Sequence, residues 1–416
     1  MRRHLLALGF GICLLGSGCK RSEPKLDEDD KTQPKEVEPP EVGERGASSC
    51  QSVPGAKFAL LSGGRGLETG VSAPFRDGFA VSALEGEKEH RIRVYVRQGT
   101  TTRDVSLERV YGGDEPPKLA GHSGGLTLAW LDRDAGGKRI ALAAVVPEGE
   151  GFRAGSVAEV ETNFRPLESL ELAARGNQVL LVWDSSDPKK KDKGSVYCAR
   201  RDAVSLAPIG APRRVSPPED DAARPLLLPA PGGYWLLWAS IVSKGNEGVP
   251  ETDGGLVAAP PEILRVQRLG EDCAPLAQPL DLTSPAPNLE FSATGAGEAL
   301  WVVSRDDSAP APTFRHVTAS GSVAIQARPE ETIVGLPLLF DNGGTPWILA
   351  TARDGASLLG VGLTGAPLML RPEPALLGVE VLGAAGGGLV IERREGGAET
   401  IRIDLISCGT GAAAPQ

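Results

Sequence analysis

One unit recurs seven times along this 416-residue chain, and a chain built of such repeats has few folds open to it. Its centre is a short apolar run, often beside a Trp, followed by a polar turn and a second, alternating strand. The copies are Phe79-Ala-Val-Ser-Ala, Leu126-Thr-Leu-Ala-Trp130, Val179-Leu-Leu-Val-Trp183, Trp235-Leu-Leu-Trp238, Ala299-Leu-Trp-Val-Val303, Trp347-Ile-Leu-Ala350 and Leu389-Val-Ile391. Their starts are separated by 47, 53, 56, 64, 48 and 42 residues. The turns that follow are rich in Asp and Gly, as in Asp132–Gly137, Asp184–Asp187, Arg353–Gly355 and Arg394–Gly397. Those residue types accept positive φ and cap their own backbone, which tight hairpins require.

Each hairpin has flanking strands. A Pro-Leu segment closed by Gly precedes it, as in Arg224–Gly232 and Leu336–Gly344, and another short run follows, as in Leu276–Leu282 and Gly365–Arg371. Alternation has period two, and no sustained 3.6-residue apolar repeat appears. The fold class is therefore all-β. Four antiparallel strands in about 50 residues, repeated radially, define a β-propeller, here with seven four-stranded blades. The 53 glycines and 34 prolines suit short strands joined by tight turns.

The ends predict how the ring closes. The last copy offers three strands, near 375–382, 388–393 and 400–406, and then the chain stops. A spare strand, Lys57–Ser62, precedes the first copy. If it completes the last blade, no sheet edge is left unpaired. Cys50 would then lie beside Cys408, because in an antiparallel pair one strand ends where its neighbour begins. Four cysteines follow residue 49, Cys50, Cys198, Cys273 and Cys408, and allow three disulfide pairings; ring closure favours Cys50–Cys408, with Cys198–Cys273 as the second.

The N-terminus has the order of an export signal: basic Met1–His4, apolar Leu5–Leu15, then small residues before Cys19. Gly16-Ser-Gly-Cys19 resembles the lipobox of bacterial lipoproteins, which implies diacylation of Cys19 after removal of residues 1–18, palmitate being a typical acyl chain. Residues 19–49 are Glu-, Asp-, Lys- and Pro-rich with almost no large apolar side chain, the composition of a disordered tether. Residues 50–416 form the propeller domain. The net charge of −10 argues against nucleic acid as a partner.

No catalytic apparatus is legible. Gly121-His-Ser-Gly-Gly125 matches the GxSxG pattern, but a strand rather than a helix follows it, so it reads as a blade turn. His90, His122 and His316 sit singly in different copies. Asp132 and Asp134 could contribute oxygens to Ca²⁺, yet they lack the distal Glu of a complete loop, and turn capping is the simpler role. No cofactor is implied, and the Trp residues are expected in the core between blades. The longest insertion, Ser243–Pro261, breaks the period, and Asn246, Glu247 and Asp253 in it are candidate partner contacts.

Signal, tether and repeats together resemble the bacterial β-propeller lipoproteins, a likeness of architecture. It implies a monomeric binding or scaffold module for protein or peptide partners, membrane-anchored through Cys19 in the cell envelope and facing the periplasm or the exterior. The alternative is a carbohydrate-active or lyase-type propeller enzyme with acids gathered at the central channel.

Overall fold

Short apolar runs and alternating segments between Gly-rich turns build strands, the runs buried on both faces. The computed structural model describes residues 50–408, apart from 62–65, 87–89, 112–114, 135–136, 161–164, 187–192, 243–259, 308–310, 326, 330–331, 343, 363–367 and 396–399. The described residues form seven sheets, antiparallel except where Ala327–Pro329 adds in parallel to Leu368–Pro372, and one short 3₁₀ turn. The chain is a seven-bladed β-propeller. In every blade the repeat read from the sequence is the second strand: Gly78–Glu85, Gly125–Asp134, Gln178–Ser186, Gly233–Ile241, Ala299–Arg305, Thr345–Ala352 and Gly388–Glu395.

The first strands of the seven sheets each contact the next and line the axis: Leu67–Phe75, Lys118–His122, Arg165–Arg175, Asp221–Ala230, Glu290–Ala296, Ile333–Asn342 and Glu380–Ala385. Five of them carry a register shift near their start, for example between Ala223 and Leu226. Such a bulge bends the strand and re-aims its side chains.

The core is distributed between blades rather than gathered at one centre. Seven apolar clusters fill the seams, each drawing on neighbouring sheets. All six Trp residues are at most 3 % exposed and belong to these clusters, as expected from the sequence.

Closure follows the predicted scheme. Cys50–Ser52 and Phe58–Leu61 both pair with the last strand, Thr400–Cys408, and Cys50 is the register partner of Cys408. These two cysteines are bonded, as are Cys198 and Cys273, which join blades three and four. One boundary is corrected. The segment expected as a strand at 375–382 begins as a 3₁₀ turn, Pro374–Leu376, capped by Glu373, and the strand starts only at Glu380. Proline at the head of that turn has no N–H to give a sheet ladder.

Candidate functional site

Strands that run around a ring in one sense put all their starting ends at one mouth of the central channel. That mouth receives Glu68, Asp221, Glu290 and Glu380 from blades one, four, five and seven, while Lys118 opens the shorter inner strand of blade two opposite Ala129, halfway along its second strand. Lys118 is paired with Glu171 of blade three at 2.8 Å. Burial works to lower the pKa of this lysine, but the Glu171 and Glu115 carboxylates outweigh it and hold the ammonium above its usual range.

Polar clamps tie each seam of the ring. Ser82 donates to Pro117 O at 2.7 Å between blades one and two, and Lys118–Glu171 joins two and three. The Asp184 carboxylate accepts from Ser169 N at 2.9 Å in its own blade and from Arg224 N at 3.1 Å in the next. Arg224 in turn donates to Leu289 O of blade five at 2.8 Å. Ser292 accepts from Leu339 N at 3.2 Å, and Ser357 donates to Leu376 O at 2.7 Å. Thr69 donates to the buried Glu392 and so joins blade one to blade seven. Arg224 holds φ +53° at its bulge, in the left-handed region, and the Asp184 carboxylate that receives its N–H offsets that strain.

This placement corrects the reading of the paired acids as turn caps. Asp132 and Asp184 lie inside second strands, 3 % and 2 % exposed. Asp132 takes two hydrogen bonds from Arg139, at 3.1 and 3.3 Å, across its own hairpin. Among the described residues no group of three or more His, Cys, Asp or Glu is placed to hold a metal ion. Asp134 lies at the end of the same strand as Asp132. Cys19 and the insertion residues Asn246, Glu247 and Asp253 fall outside the described residues.

The GxSxG pentapeptide spans a strand, a two-residue turn and a strand, Lys118–His122 to Gly125–Asp134. Ser123 Oγ donates to Asn177 Oδ1 at 3.2 Å in the next blade, not to a base. His122 Nδ1 accepts from Gly124 N, and its Nε2 lies 3.2 Å from Thr127 Oγ1, which donates to Ala203 O. The network assigns the imidazole proton to Nε2. Burial holds the His122 pKa below its usual range, although Asp202 works the other way. The three histidines stand in three blades. His316, however, is neither a turn nor a plain surface residue. It faces a seam pocket of about 260 Å³ together with Trp301, Thr345 and Pro346. Nothing in one histidine's sequence context signals a pocket shared between two blades.

No protein-family model matches this sequence, and no curated protein does. Solved structures do. The polysaccharide lyase Uly1 aligns with a TM-score of 0.53 at 10 % identity, over 81 % of this chain and 89 % of its own. The β-propeller domain of the trilobed protease from Pyrococcus furiosus aligns at 0.47 and 9 % identity, over 78 % of this chain and 91 % of that one. An α-L-arabinanase of Penicillium chrysogenum, solved with arabinobiose, aligns at 0.40 and 12 % identity, over 81 % and 92 %. What is shared is the fold.

Proposed function

We propose that this chain is a lipid-anchored cell-envelope propeller that serves as a binding or scaffold module for protein or peptide partners. The observation that carries this reading is how the charged groups of the ring are used. Lys118, Glu171, Asp184, Arg224 and Glu392 all hold neighbouring blades together. A frame clamped at each seam presents its loops in fixed positions, and recognition on loops over a rigid scaffold is the usual arrangement. The lipobox-like Gly16–Cys19 and the acidic tether support an anchor at a membrane surface.

Two measurements test it. Mass spectrometry of the mature protein is expected to find an acylated N-terminal Cys19, and Cys19→Ser is expected to move the protein to the soluble fraction. Photo-crosslinkers at Asn246, Glu247 and Asp253 are expected to trap one partner in intact cells, absent when the crosslinker sits on the outer strand at Met369. An unacylated N-terminus sinks the anchor. Equal trapping from both places sinks the insertion as the contact.

A second reading keeps the same frame as a carbohydrate-active enzyme, using Glu68, Glu290 and Glu380 at the channel mouth. It is favoured by the acids at four of the seven inner-strand starts, Glu68, Asp221, Glu290 and Glu380, and by the likeness to a polysaccharide lyase. Release of unsaturated sugar ends from an acidic polysaccharide, lost in Glu290→Gln, would replace the binding reading with this one.

A further inference from the structure

Blades four, five and six each carry a Trp at the third position of the second strand: Trp235, Trp301 and Trp347. Each packs toward the following blade. Directly opposite, on the third strand, stand Arg268, His316 and Val361. The seam between blades four and five supplies its own cation: the Arg268 guanidinium lies 4.8 Å from the Trp235 ring centroid and 3.9 Å from Glu298 in the inner turn of blade five.

The next seam is built on the same plan without those two long side chains. His316 takes the Arg268 position, its ring edge-on to Trp301 at 5.4 Å. Gly344 takes the turn position of Glu298, directly before the second strand. What remains is the pocket of about 260 Å³. Gly362 keeps it open, because a Cβ there would sit 2.8 Å from two indole carbons of Trp301 and 2.9 Å from Pro346. An acid is also at hand. Asp341 is the cross-strand partner of Pro346, which puts its side chain on the face toward this seam, and it accepts from the pocket-lining Gly344 N at 2.7 Å. The residue as a whole is exposed, yet partial burial holds its carboxyl above the usual carboxylate range.

We propose that this pocket binds an organic cation, the guanidinium or ammonium group of a single Arg or Lys side chain, in the place that Arg268 occupies in the neighbouring seam. Indole and imidazole rings offer a cation–π surface, Asp341 offers a carboxylate, and the chain's net charge of −10 draws basic ligands. The proposal deepens the binding-module reading and rests on it, naming the side chain such a partner inserts.

Calorimetric titration of the full-length chain with Nα-acetylarginine amide tests it, with the neutral acetylcitrulline amide as control. Saturable binding of the arginine probe is expected, at least about tenfold tighter than the citrulline. Asp341→Asn is expected to weaken it about tenfold, with the thermal unfolding curve unchanged. His316→Arg is expected to abolish it, because the new guanidinium takes the ligand's place. Absent binding, equal binding of citrulline, or affinity unchanged in both variants overturns the proposal. Since the probe is a free small molecule, such a failure leaves a partner held elsewhere on the ring untouched, and the crosslinking outcome tests that partner separately.

Discussion

Asp184 shows what a single buried side chain does in this fold. Its carboxylate satisfies backbone N–H groups on two inner strands, one of them Arg224 in a left-handed conformation. Replacing it by Ala leaves both N–H groups without that acceptor, so Asp184→Ala is expected to cost about 2–4 kcal/mol in urea unfolding. His122 gives a pH prediction. Its folded pKa lies below the ordinary 6.5, so the folded state binds fewer protons than the unfolded chain as pH falls through that value. The stability it permits is complete above pH 6.5 and is lost as pH drops toward the depressed pKa. Urea midpoints measured across that window are expected to fall less in His122→Gln than in the parent. Neither role was visible in the sequence. An Asp after an apolar run fits a strand end and a turn equally well, and only the partner blade makes Asp184 a clamp.

Elements were far more legible. Each second strand was readable because it is apolar on both faces, buried between two blades, and bounded by Gly and Asp. The inner strands were less readable because their bulges interrupt the alternation, and at Pro374 local proline geometry displaced a strand start by about five residues. The closing strand was legible by counting, and its disulfide is the feature most open to test. Cys50–Cys408 closes a loop of 358 residues, so the Cys50→Ser/Cys408→Ser pair is expected to lose about 2–5 kcal/mol. Denaturant unfolding checks this, and peptide mapping of the oxidised protein checks the pairing.

At the scale of the molecule, the ring is only as good as its last sheet. Deleting residues through 65 removes both strands that pair with Thr400–Cys408 and exposes an unpaired edge. Such a truncation is expected to elute as aggregate in size-exclusion chromatography, whereas deletion through 48 is expected to leave a monomer. The sequence by itself determined the repeat and the all-β class, and it favoured seven blades and the pairing of Cys50 with Cys408, because apolar runs and turn chemistry are local and the repeat multiplies a weak signal sevenfold. The structure fixed the count and the disulfides. Only the tertiary structure decided the clamps at the seams, the burial of Asp132 and Asp184, and the pocket beside Trp301. Each of those is made by side chains from different strands, most from different blades, and distances across a seam are set by packing that no local pattern encodes.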